Sequence, residues 1–251
     1  MKAFFDAIRP AFGGALDQDQ VDGMTALLEE GADLPLHHMA NVLANVRRET
    51  GGIMAPIKET VMVYHKDRNP SDAEVIRRLN TAYAKGKLPW VKTPYWRDGE
   101  FGRGQLQITH KANRMKFGIS DRDDLLRPHI SAHVAVRGMR DGMFRGKKLA
   151  DYDFPAALDA PPDRNPRRIV NGKDGSDAEV ARFHRQFAAA LEAAGWGGDH
   201  ILAVTPAEPA EALARDPLSP SAVAASPAPD PAVKGWAAFI AAIMRLFGVG
   251  R

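Results

Sequence analysis

Three stretches of the chain open on a side chain able to cap a helix and carry Gln or Glu three residues later: Asp17 to Gln20, Ser71 to Glu74 and Ser176 to Glu179. Such boxes satisfy the first unpaired N–H groups of a helix, and each precedes apolar residues at helical spacing. After Asp17 these are Val21, Met24, Leu27 and Leu28, with Gly31 as the stop. Another helix is expected from about Leu36 to Thr50, with Met39, Val42, Leu43 and Val46 on one face and Gly51-Gly52 at its end. The run from Ile130 to Met139 fits a further buried helix. Strand alternation is confined to Gln105–Thr109, and neither strand–helix–strand alternation nor an internal repeat is visible. The expected fold is mainly α with very little strand.

A change of composition near residue 206 divides the chain. Residues 206–231 hold seven prolines and eight alanines without periodicity, which reads as a semi-rigid linker between a body at 1–205 and a tail at 232–251. In the tail, Trp236, Phe239, Ile240, Ile243, Met244 and Phe247 share one helical face. A spanning helix needs about 20 apolar residues, and Arg245 interrupts a shorter run. An amphipathic helix lying on a membrane, or docking on the body or on a partner, fits better. The net charge of +3 is too small to point to a nucleic-acid partner. The absence of cysteine excludes disulfides, thiolate zinc sites and cysteine nucleophiles. Asp6 and Arg9 break the apolar stretch that a signal peptide needs, so Sec export is not expected.

Glu49 ends the second helix, where a carboxylate faces the negative end of the macrodipole; that disfavours the charged form and suits a proton donor. It fits equally a surface residue in a fraying turn beside Arg47 and Arg48. Ten residues on stands Glu59. Glycoside hydrolysis needs two carboxyl groups about a bond, although Glu59 next to Lys58 also reads as an exposed ion pair. In Gly102-Arg103-Gly104 the glycines allow close backbone approach, and Gln105, Gln107 and Thr109 then alternate with Leu106 and Ile108 on a face that could grip a sugar. Arg167-Arg168-Ile169-Val170-Asn171-Gly172 sets Arg and Asn beside a turn glycine, or is simply a loop entering the helix after Ser176. His129 and His133 stand four apart but lack the glutamate of a zinc motif, so neither metal nor cofactor is expected. No Gly-x-Ser-x-Gly elbow supports a serine hydrolase.

In order along the chain, Arg-Glu-Thr-Gly-Gly (48–52), Lys-Glu-Thr-x-x-x-Tyr (58–64), Gly-Arg-Gly-x-x-Gln-x-Thr (102–109) and Asp-Leu-Leu-x-Pro (124–128) resemble glycoside hydrolase family 19. The continuation, 137–152 from Arg-Gly-Met to Asp-Tyr and Arg-Arg-Ile-Val-Asn-Gly at 167–172, is similar to the phage and prophage endolysin branch. The resemblance covers about residues 5–197 and not the linker or tail. It implies a lysozyme-like, mainly α fold with a cleft for a β-1,4-linked amino-sugar polymer, and no cofactor. Carried over by position, Glu49 matches the general acid and Glu59 the second carboxylate. Gln107, Thr109, Asn113, Arg168, Asn171 and Tyr64 match substrate contacts. Arg48 stands where many relatives have His.

The resemblance implies hydrolysis of peptidoglycan glycan strands by a monomer, by single displacement with the two carboxyls about 6.5–9.5 Å apart. A lytic transglycosylase or chitinase on the same fold, and a non-catalytic wall-binding virion protein, are the alternatives. Without a signal peptide, such a lysin is expected to be made in the host cytoplasm and to reach the wall after holin-type release or by particle delivery.

Overall fold

The computed structural model describes residues 1–197, so the body's end at 205, the linker at 206–231 and the tail helix at 232–251 lie outside the described residues. In chain order the elements are α1 (Lys2–Ile8), α2 (Gln18–Glu30), α3 (Leu36–Glu49), β1 (Ile57–Lys58), α4 (Asp72–Ala84), β2 (Arg103–Gly104), α5 (Lys111–Met115), α6 (Pro128–Asp141) and α7 (Asp177–Ala193). The fold is mainly α, as the capping pattern implied. Short 3-10 turns at Tyr95–Asp98 and Pro166–Ile169 carry residues of the site. Among the described residues, no helix is long and apolar enough to cross a membrane.

Two of the three helix starts use their side chains as caps. Asp17 accepts from the Gln20 backbone N–H at 2.9 Å, while Gln20 Oε1 accepts from the Asp17 N–H at 2.9 Å. Ser71 Oγ accepts from the Glu74 N–H at 3.2 Å. Ser176 does not cap α7. Its hydroxyl instead donates to Asp174 at 2.7 Å and accepts from Arg167 Nε at 3.0 Å, a tertiary claim stronger than the local one.

The larger core gathers α3 with α7 over it, α1 beside α7, and α2 against α6. Met39, Val42, Leu43 and Val46 of α3 are fully buried against residues such as Phe183, Phe187 and Leu191; each large apolar side chain so buried contributes roughly 1.5–3 kcal/mol. The end of α3 is a Schellman closure: the Gly52 N–H bonds to Arg47 O at 2.9 Å and the Gly51 N–H to Arg48 O at 3.4 Å, with Gly51 at φ 61°. The chain then enters a second core built from Ile53, Ile57, Val61, Met62, Val75, Leu79, Leu88, Trp96 and Phe101.

The strand signal is displaced. β1 and β2 pair antiparallel, Ile57 with Gly104 and Lys58 with Arg103. Arg103 and Ile108 then exchange backbone hydrogen bonds of 3.2 and 2.8 Å, so 103–108 doubles back on itself with Gln107 at φ 51°. An extended face over Gln105–Thr109 therefore does not form. The turn is pinned from α6: Ser131 Oγ accepts from the Gln105 N–H at 2.7 Å and would lie 2.9 Å from a Cβ at Gly104.

Candidate active site

Glu49 ends α3 fully buried, at 0% exposure. Neither Arg47 nor Arg48 is the partner suggested by adjacency. Arg47 runs to Gln186 and the Ala11 carbonyl between the rings of Phe12 and Phe183, and Arg48 pairs with Glu179 at 3.0 Å. Instead the guanidinium of Arg167, from the 3-10 turn Pro166–Ile169, donates Nη2 to Glu49 Oε1. The same Nη2 reaches Asp174 at 2.8 Å, Nη1 reaches Asn45 Oδ1 at 2.8 Å, and Nε reaches Ser176 Oγ at 3.0 Å. Burial pulls the Arg167 proton affinity down, but the charges of Glu49 and Asp174 outweigh it and hold the group firmly cationic. For Asp174, burial raises the pKa, and Arg167 and Ser176 outweigh it to leave the carboxyl at about 2.

Glu59 is equally buried but in different company. Its Oε1 accepts from the Tyr95 hydroxyl at 2.8 Å and its Oε2 from the Gly102 N–H at 2.8 Å, while its own N–H bonds to Gly102 O at 2.7 Å. Burial pushes its pKa up to about 7, against the lowering influence of those two donors and of Arg103. The exposed pair with Lys58 does not occur: Lys58 turns to Asp72 at 2.9 Å. Tyr95, half-buried against Glu59, has its own proton affinity driven well up by desolvation and by that negative neighbour.

Gln107 is buried and turns its amide inward. Its Nε2 donates to the carbonyls of Ile57 at 3.0 Å and Gly104 at 2.7 Å. Gln105 likewise donates to Met54 O at 2.7 Å and Gly23 O at 3.1 Å. The Oε1 of each is buried without a hydrogen-bond partner among the described residues. Thr109 is half-buried and donates to Gln107 O at 3.2 Å; Asn113 Nδ2 donates to Thr109 O at 2.9 Å. These three thus form one linked chain of contacts. Tyr64 is exposed, its ring under the Arg78 guanidinium at 4.3 Å.

Arg168, matched to the cleft by position, pairs with Asp177 at the start of α7, and Asn171 Oδ1 accepts from the Gly172 N–H at 2.8 Å. It is the neighbouring Arg167 that grips Glu49. Sequence reasoning named Arg167 only as part of its motif and did not single out Asp174 or Tyr95. One local signal was available: His37, Asn41, Asn45 and Glu49 recur every four residues along α3. Comparison with known proteins found no matching family model, no matching curated relative and no matching solved structure.

Two buried carboxyl groups therefore flank the passage of the chain from one core to the other. One is tied to an arginine and the other is held near neutrality by burial. A carboxyl whose pKa burial raises toward neutral pH is a candidate for acid–base catalysis.

Proposed function

We propose that the chain is a peptidoglycan-degrading endolysin that hydrolyses β-1,4 glycosidic bonds of the cell-wall glycan on a lysozyme-like scaffold. The reading is supported above all by the unlike environments of Glu49 and Glu59, ten residues apart and both fully buried. The ordered motifs that resemble glycoside hydrolase family 19 supply the substrate class. Glu49 protonates the glycosidic oxygen and Glu59 directs a water at the opposite face of the sugar, a single displacement without cofactor or metal. The Tyr95 hydroxyl, on Glu59 Oε1 at 2.8 Å, orients the carboxyl for that step. Gln107 braces the turn that faces the glycan through the Ile57 and Gly104 carbonyls, and Thr109, Asn113, Tyr64, Arg168 and Asn171 contact the glycan strand. The protein meets the wall after release from the cytoplasm or delivery by a particle, and its tail at 232–251 contacts the bacterial membrane.

One observation favours the opposite division of labour between the two acids. Near pH 7 it is Glu59 that burial keeps about half protonated, whereas Glu49 lies in an ion pair. A donor must hold its proton at working pH, so in this second reading Glu59 is the acid and Glu49 the base.

Mass spectrometry of fragments released from purified peptidoglycan by the wild type and by Glu49→Gln tests the activity. Reducing-end fragments from the wild type alone support the reading, and their terminal sugar names the bond cut. Anhydro-sugar products indicate a lytic transglycosylase, and silence from both proteins on peptidoglycan and on chitin rejects a glycan hydrolase. Aryl glycosides whose leaving group needs no proton separate the roles: they restore turnover to the variant lacking the acid and not to the one lacking the base.

A further inference from the structure

Behind the Glu49–Arg167 pair a line of polar side chains runs the length of α3. Asn45 Oδ1 accepts from Arg167 Nη1 at 2.8 Å, and Asn45 Nδ2 lies 3.1 Å from Asn41 Oδ1 and 2.9 Å from the Asn41 carbonyl. Asn41 Nδ2 lies 3.4 Å from His184 Nδ1 on α7, and His184 Nε2 lies 3.2 Å from His37 Nδ1 near the start of α3. Asn41, Asn45, Arg167 and His184 are buried, and His37 is half-buried. At 1.5 Å per residue the line from His37 to Asn45 covers about 12 Å of helix.

The direction of every hydrogen in this line follows from its inner end. A guanidinium carries donors only, so the atom of Asn45 that meets Arg167 is its oxygen, and its NH₂ points to Asn41. The atom of Asn41 that meets it must again be oxygen, which turns the Asn41 NH₂ toward His184. His184 Nδ1 is then a bare acceptor and the ring hydrogen sits on Nε2, donating to His37 Nδ1. Burial, with His37 and Arg185 nearby, pushes His184 down to about 3, so the ring stays neutral and keeps that single hydrogen. Its ring stacks on Phe154 at 5.2 Å, and Arg185 on the same helix is tied to Asp159 at 2.6 Å.

We propose that Asn45, Asn41 and His184 are positioning residues for Arg167, a hydrogen-bond chain of fixed direction that holds the guanidinium in the one rotation that reaches both Glu49 and Asp174. A packing role alone asks only that the His184 cavity be filled. A directional role asks for an acceptor toward Asn41 and a donor toward His37. His184→Gln offers both and His184→Leu offers neither.

The test compares the full-length wild type with these two variants by ¹⁵N NMR of the Arg167 guanidinium and, in parallel, by kinetics on peptidoglycan. In the wild type and His184→Gln the Arg167 Nη protons are expected to be slow to exchange and separately resolved. In His184→Leu they average, and kcat falls roughly tenfold at unchanged KM, as expected when a reacting group loses its orientation. The kinetic arm rests on Glu49 as a reacting carboxylate, and the NMR arm does not. A wild type that releases no glycan but shows the guanidinium pattern discards the proposed function and keeps the positioning chain. Identical Arg167 signals in the wild type and His184→Leu overturn the chain. Should His184→Leu not fold, Asn41→Asp serves: its carboxylate still accepts from Asn45 but has no hydrogen for His184. The His184 hydrogen is then expected to move to Nδ1, visible in the ring ¹⁵N shifts, and an unchanged Nε2–H tautomer overturns the proposal.

Discussion

Arg167 and Glu49, 118 residues apart in the chain, form a fully buried ion pair, and the same guanidinium nitrogen also holds Asp174. Two carboxylates thus depend on one cation. Removing one partner of a buried pair leaves uncompensated charge, which costs about 3–5 kcal/mol. Arg167→Met is therefore expected to lower the unfolding free energy by an amount of that order at pH 7, read as a lower urea midpoint. Arg167→Lys should lose less stability but cannot bridge Asn45, Glu49, Asp174 and Ser176 together, because an ammonium lacks the planar fork. A wild-type midpoint for Arg167→Met would show that the pair stabilises nothing.

Glu59 gives stability a pH dependence of definite sign. Its pKa rises from an ordinary 4.5 to about 7 on folding, so between those values the folded state holds more protons than the unfolded chain. The protonated form's contribution is fully present below about 4.5 and is lost as the pH climbs through 7, amounting to at most about 3 kcal/mol. Glu59→Gln removes the titration while keeping an acceptor for the Gly102 N–H. Denaturation midpoints of this variant should be flatter than the wild type's between pH 4.5 and 7.5, and parallel curves would contradict the buried assignment.

Tyr95→Phe deletes a hydrogen bond to Glu59 Oε1 with little change in burial. That donor favours the ionised carboxylate, so its loss should carry the Glu59 titration above 7. The limb of the pH–rate profile that reports Glu59 should then move toward alkaline pH by about one unit, accompanied by lower turnover. An unmoved limb would mean that Glu59 does not control the rate.

Gly23 is a helical glycine whose replacement by alanine normally stabilises by up to about 1 kcal/mol. Here a Cβ would stand 2.5 Å from Met54 O and 2.9 Å from Ala55 Cα, both backbone atoms that cannot swing aside. Gly23→Ala is expected to destabilise by roughly 1–3 kcal/mol instead. The strain should also reach the site, because Met54 O and Gly23 O both accept from Gln105. Thermal unfolding measures the first effect, and the Gln105 side-chain amide resonances report the second.

Much of the helical framework was open to reading along the chain. The starts at Asp17 and Ser71, the stop at Gly51-Gly52 and the apolar faces of α2, α3 and α6 all depend on hydrogen bonds and spacings within four residues. The candidate carboxylates Glu49 and Glu59 were legible too, since each sits in a short motif. Their surroundings were not. Adjacency offered Arg48 and Lys58 as partners, but packing of α7 on α3 gives Arg48 to Glu179, and the start of α4 gives Lys58 to Asp72. The alternation at Gln105–Thr109 suggested a strand, but the backbone exchange between Arg103 and Ile108 and the Ser131 hydroxyl close it into a turn.

The sequence by itself determined most of the longer helices, because capping, periodicity and glycine stops act between near neighbours. Only the tertiary structure decided that Arg167 rather than Arg168 meets Glu49, that Tyr95 and Gly102 hold Glu59, and that an unbroken polar line joins His37 to Arg167. Those pairings span tens to more than a hundred residues, and they arise because a buried charge or amide must find its partner wherever the packing of two cores places one.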